Sequence, residues 1–214
     1  MDSASVCLAR NGTAIQIAEN ENQKDHASWL HVAVNKLFQI KNLSLSDLDA
    51  VAVSIGPGSY TGLRVGLSAA KGFCYSLNIP LIAVGTLEIM AHEASGELVE
   101  LRCPMIDARR YEVFTAVFDM EMNIVMPPQA MIVSENSFDN FLIDRKVLFF
   151  GNGSEKVKSV IQHKNASFTN LTSTASSLAR LSMERMKKNQ FEDLAYVEPH
   201  YLKEFYTNFH LRLI

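Results

Sequence analysis

The sequence is poor in the residues that build covalent or metal frameworks. Of 214 residues, three are cysteine. Cys7, Cys74 and Cys103 stand far apart with no Cys-x-x-Cys pair, a pattern that argues against a disulfide scaffold and a structural zinc site. Positive charge is not in surplus either: 20 Lys and Arg against 23 Asp and Glu leave a net charge of −3. Such a chain does not hold a phosphate backbone unaided, so any RNA is expected to reach it through a partner. No apolar run has the length to span a bilayer, and no basic N-terminus leads into an apolar signal core. These absences point to a reducing cytosol and away from a membrane. What is present, 48% hydrophobic and 20% charged, suits a globular chain forming one large domain or two small ones.

Two β-prone runs, residues 6–9 and 13–18, are joined by Asn11-Gly12, a pair that favours a tight hairpin because both turn residues take positive φ. Asp25 offers a cap for a helix carrying Trp29, Leu30, Ala33, Leu37 and Phe38 on one stripe. A strand at 50–55, a helix at 61–77, a strand at 81–84 and a helix at 86–94 follow. The order then repeats. Strands are expected at 104–108, 112–118 and 130–133, and a helix capped by Ser134 reaches Ile143. A strand at 147–150, a helix at 154–162, a strand at 166–168 and a helix at 174–188 complete the chain.

Strands alternating with helices imply α/β architecture. The duplicated order points to two related lobes, 1–101 and 102–214, of the actin-like ATPase and ribonuclease-H-like type. The second half opens with three strands and the first with two, so the first lobe lacks its leading strand. Either residues ahead of Met1 supply it, or the protein starts at the second strand.

The run from Ser54 to Gly66 places glycines between a strand and a helix, where free N–H groups attract phosphate. Yet Thr61-Gly62-Leu63 is not the Gly-Lys-Ser/Thr of a Walker loop, and Ser59 does not stand in Gly-x-Ser-x-Gly. A plain tight turn is the competing account. Along the following helix, Gly62, Gly66 and Ala70 recur every four residues. Glycine costs a helix about 1 kcal/mol relative to alanine, which suggests a packing reason. The stripe either lets another helix approach or packs on this chain's own sheet.

SIGPGSYTGLRVGLSAAKGF, NIPLIAVGTLEIMA, MIDARRYEVFTAVFD, FFGNGSEK and AYVEPHYL, in that order across nearly the whole chain, resemble the TsaB (YeaZ) family. The resemblance implies a duplicated actin-like fold and a place beside TsaD and the ATPase TsaE in threonylcarbamoyladenosine synthesis on tRNA, with TsaB as an inactive paralogue of TsaD. In the TsaD type, the matching helix carries His-Leu-Glu-Gly-His, whose two histidines share a face and bind one metal ion. Here the run is Thr86-Leu87-Glu88-Ile89-Met90, and His92 points off that face. No catalytic residue, cofactor or metal is therefore expected. A scaffolding subunit is favoured over an independent nucleotide hydrolase or glycoprotease-like metallopeptidase. The expected partners are a TsaD-type paralogue, a TsaE-type ATPase or a second copy, with tRNA held only through the complex. The expected contact is an exposed helix face formed by Gly62, Gly66 and Ala70 with Leu63, Leu67 and Phe73.

Other polar groups have plainer accounts. His26 and His31 lie five apart and share no helix face. Asp107, Arg109 and Arg110 read as a solvated turn or, less simply, as a phosphate contact. Lys187 and Lys188 complement a helix C-terminus. Nothing in the spacing brings Ser59 and Asp107 together with a histidine as a triad.

Overall fold

The computed structural model describes residues 4–20 and 26–203. Asp25 lies outside them. β1 (Ala4–Arg10) and β2 (Thr13–Asn20) form an antiparallel hairpin. Its turn residues Asn11 and Gly12 have φ of 52° and 78°, as a two-residue turn of matching twist requires. Helix α1 (His26–Lys41) buries Ala33, Leu37 and Phe38, and the last two pack with Leu8 of β1. β3 (Val51–Ser54) pairs in parallel with β4 (Leu81–Val84), and α2 (Tyr60–Leu77) makes the crossover. α3 (Thr86–Glu93) follows β4.

The second half holds a five-stranded sheet in the order β7-β6-β5-β8-β9. β5 (Leu101–Asp107) lies at its centre, antiparallel to β6 (Glu112–Asp119) and parallel to β8 (Val147–Phe150). β9 (Ala166–Thr169) closes one edge. The other edge is β7 (Ile124–Ile132), which is longer than expected and carries Pro127 and Pro128, residues suited to an edge because they donate no ladder bond. Helix α5 (Ala175–Lys187) is capped by Thr174, whose side chain accepts from the Ser176 N–H.

Two expected helices differ. Ser134 does not start one: its N–H and hydroxyl are taken by the Ser137 hydroxyl at 2.8 and 2.9 Å, a local turn that competes with helix. Only a short α4 (Asp139–Leu142) forms. Residues 154–162 make successive turns instead of a regular helix. Val157 and Val160 donate three residues back, while Lys158 and Ile161 donate four back.

The last helix of each half packs on the other half. Leu87, Met90 and Ala91 of α3, with Ala94 just after it, join Ile106, Ala116, Phe118, Leu148 and Phe150 in one core. Leu178 and Leu181 of α5 join Ile82, Val84 and Ile89 in another.

Candidate interaction site

The glycine-rich turn after β3 is closed by the chain's own groups. Gly56, at φ 116°, gives its carbonyl to the Thr86 N–H at 2.7 Å, and His200 donates to the Ile55 carbonyl at 2.7 Å. A Cβ at position 56 would come within 2.7 Å of the His200 carbonyl oxygen, so glycine is needed for this close approach as well as for its φ. Ser59 caps α2 by accepting from the Gly62 N–H at 3.3 Å, and its carbonyl takes the Leu63 N–H. Two N–H groups at the helix start, those of Gly62 and Leu63, are thus engaged. Arg64 lies 4.1 Å from the Tyr60 ring centre and donates through Nε to the Tyr201 hydroxyl at 2.9 Å, which ties the chain's 200s to this turn.

The positions matching the paralogue's two histidines are both committed to packing. Thr86 is fully buried, its hydroxyl 2.7 Å from that of Ser54. Met90 is 5% exposed and sits in the core under α3. His92 places Nε2 3.8 Å from Glu184 of α5, away from both. Among the described residues, no three His, Cys, Asp or Glu side chains converge as metal ligands would.

Asp107 ends β5 and is held by this chain rather than offered to a ligand. Lys156 lies 2.5 Å from its carboxylate and donates also to the Glu112 carbonyl, while the Arg109 N–H reaches the same carboxylate at 2.7 Å. The Lys156 hydrogen bond, aided by the Arg109 N–H, keeps the Asp107 carboxyl below its ordinary range. Arg109, Arg110 and Tyr111, in the turn that follows, all take positive φ. Among the described residues, Ser59 and Asp107 share no hydrogen bond with each other or with a histidine.

The small-residue stripe of α2 does not form an exposed face. Leu63, Leu67 and Ala70 are 9%, 4% and 4% exposed. Leu67 and Ala70 pack with Cys74, Ile55, Leu81, Ala83 and Val197 of the chain's own core. Gly66 turns toward β3, where a Cβ would meet Val53 at 3.8 Å. The reason is helical geometry: positions 63, 67, 70 and 74 form the apolar stripe of α2, and the sheet claims it. Gly62, Gly66 and Phe73 remain half-buried at its flank.

The face that is left open lies on the other side. On α2 it carries Ser68, Gly72 and Tyr75, the last 84% exposed. α1 lies alongside, with the His31 and Phe73 rings 6.1 Å apart. Val32 and Ile40 of α1 are 66% and 51% exposed. Their spacing, one helical face away from Ala33 and Leu37, is the sequence signal for this surface.

Residues 16–208 match the family model described as TsaD, tRNA N6-adenosine threonylcarbamoyltransferase. A Bacillus subtilis protein named tRNA threonylcarbamoyladenosine biosynthesis protein TsaB is 33% identical over 161 residues, 73% of this chain and 69% of that protein. The chain belongs to the TsaB family. The Escherichia coli TsaB is 32% identical over 123 residues, 57% of this chain and 53% of that protein. A structure of YeaZ from Pseudomonas aeruginosa superposes with a TM-score of 0.79 at 25% identity, covering 94% of this chain and 95% of that one. The duplicated actin-like fold expected of a TsaB-family chain is the fold found. No helix among the described residues is long and apolar enough to cross a membrane.

Proposed function

We propose that this chain is a non-catalytic subunit of tRNA threonylcarbamoyladenosine synthesis that pairs with a TsaD-type paralogue through the outer faces of α1 and α2. Membership in the TsaB family supports the pathway. The non-catalytic reading rests on one observation: Thr86 and Met90 stand where the paralogue type has its metal-binding histidines, and both are consumed in packing. Neither a hydroxyl held by Ser54 nor a buried thioether suits a hard catalytic metal. A TsaE-type ATPase then completes the assembly, and tRNA is held by the complex, in keeping with the net charge of −3.

The α1–α2 surface supports the pairing because it joins exposed apolar side chains to a glycine, Gly72, with open space above it. A partner helix can approach closely there. A second copy could use the same self-complementary patch in a twofold dimer when the paralogue is absent.

Omission assays test the function. Threonylcarbamoyl transfer to tRNA should require both this chain and the TsaD-type subunit, and this chain alone should transfer nothing. Val32→Glu and Gly72→Arg should each remove co-purification with the paralogue while leaving the circular dichroism of the isolated chain unchanged. Full transfer activity by this chain alone would overturn the non-catalytic reading, and normal pairing by both folded variants would move the interface elsewhere.

A further inference from the structure

The segment that follows α5 returns along the first half and reaches the outer side of α2. Glu192 donates its N–H to the Leu81 carbonyl at 2.9 Å. Val197, 8% exposed, then packs with Leu67, Ala70 and Cys74 of α2. His200 is fixed to the Ile55 carbonyl by its N–H. Pinned along its length, the segment delivers Tyr201 to a set place beside the first turns of α2.

There Tyr201 meets Tyr60 and Arg64, which stand four apart and so share a helix face. The two tyrosine rings lie 5.1 Å apart, centre to centre. The guanidinium carbon of Arg64 sits 4.1 Å from the centre of the Tyr60 ring and 5.9 Å from that of Tyr201. Its Nε is spent on the Tyr201 hydroxyl at 2.9 Å. Glu198 lies close enough to attract the charge. Among the described residues, however, the two terminal nitrogens of Arg64 make no hydrogen bond.

An exposed arginine ordinarily moves among many rotamers, and ordering it costs entropy. Here one edge of the guanidinium is tied and one face lies on a ring. What remains is a fork of terminal N–H groups, already ordered and without a partner. A planar fork of this kind matches a carboxylate or phosphate through two parallel bonds.

Arg64 begins a row that Ser68 and Gly72 continue at intervals of four, and all three are exposed. The row belongs to the outer face of α2 on which the proposed pairing rests. We infer that Arg64, preset by Tyr60 and Tyr201, anchors this face by taking an Asp or Glu carboxylate of the partner protein. The inference rests on the pairing reading and supplies its polar contact. A carboxylate is favoured over an RNA phosphate because the fork stands in the row of the pairing surface. The chain's net charge of −3 also opposes a polyanion. Arginine and tyrosine are among the residues that most often dominate pairing energies. Tyr201 is a positioning residue, since its hydroxyl is turned to Arg64.

Calorimetric titration of the full chain with the TsaD-type subunit tests the assignment. Arg64→Gln should weaken pairing by about tenfold or more, the scale of a lost charge-assisted pair. Arg64→Lys should regain only part of this, because a point charge cannot make two parallel bonds. Tyr201→Phe keeps the ring but frees the guanidinium, and should weaken pairing by roughly threefold through lost preorganisation. Added salt should weaken the parent chain more than Arg64→Gln. Circular dichroism of each isolated variant should match that of the parent. If Arg64→Gln does not fold, Arg64→Lys and Tyr201→Phe carry the test, and parent-like pairing by both would overturn the inference. Parent-like pairing by a folded Arg64→Gln, while Val32→Glu fails to pair, would overturn it and leave the pairing reading standing. Normal pairing by Val32→Glu and Gly72→Arg as well would remove both. Full recovery by Arg64→Lys would overturn the fork. Unchanged pairing with weaker binding of tRNA to the assembled complex would give Arg64 to a phosphate instead, and would also overturn the inference.

Discussion

Arg102 shows how one side chain ties the second sheet to the helix that covers it. It is 3% exposed, yet its guanidinium donates to main-chain carbonyls on two sides. Nε donates to Ala94 at 3.1 Å, and one terminal nitrogen donates to Asp119 and Met120 at 3.2 and 3.3 Å. These carbonyls close the end of α3 and the turn after β6, two places where no regular ladder supplies a donor. Arg102→Met keeps the apolar stem and removes these bonds together with those to the Ser95 carbonyl and the Met122 sulfur. The expected cost is about 1–3 kcal/mol, because the hydrogen bonds of a charged group are lost although the Ala94 and Asp119 oxygens keep the Glu97 and Met122 N–H groups. Urea denaturation should show a lower midpoint with an unchanged slope. A midpoint equal to that of the parent chain would mean that water replaces the guanidinium.

Helix α2 shows which signals a sequence carries and which it does not. The helix runs from Tyr60 to Leu77, within one residue of the expected start, because Ser59 caps it and Asn78 ends it at a φ of 53°. Its glycines were readable as a packing device, but the stripe could serve the chain's own sheet or a partner. Burial decides: Ala70 and Leu67 serve the sheet, and only the flank is left for a partner. Periodicity locates an apolar face, but the sheet that covers it is assembled from distant strands. The same limit hid Arg102, whose carbonyl partners come from two separate turns. It also hid what meets Val32 and Ile40, whose spacing marks an outer face of α1 without naming its cover. Asn11-Gly12 and the β4 strand were legible because their signals are local. The helices expected at 134–143 and 154–162 failed because serine hydroxyls and three-residue turn bonds compete locally with helix. Gly72 offers a test at this scale. A Cβ there meets nothing within 4 Å, and the position lies inside an exposed helix face. Gly72→Ala should stabilise the isolated chain by roughly 0.5–1 kcal/mol through helix propensity. A loss of stability would show that α2 is not a regular helix at that turn in solution.

At the scale of the whole molecule, the duplication and the packing divide the chain differently. We propose that the seam of the duplication lies between residues 101 and 102, at the first residue of β5. The packing crosses it twice, since α3 covers the second sheet and α5 covers the strands of the first half. Arg185 of α5 also forks onto Glu88 of α3, at 2.7 and 2.8 Å, and donates to the Ala83 carbonyl. Neither half can therefore lose its last helix without uncovering the other, and the chain should unfold as one cooperative unit. Leu181, 6% exposed between Ile82 and Ile89, is the place to test this. Leu181→Ala should cost about 2–5 kcal/mol, the usual range for emptying a packed leucine site. Trp29, the single tryptophan, reports the first half by fluorescence. Hydrogen exchange at Phe149 in β8 reports the second. In the parent chain both probes should give the same unfolding free energy, and in the variant both should fall by the same amount. If Trp29 alone responds, while Phe149 keeps its protection, the halves unfold independently and the exchanged helices do not couple them.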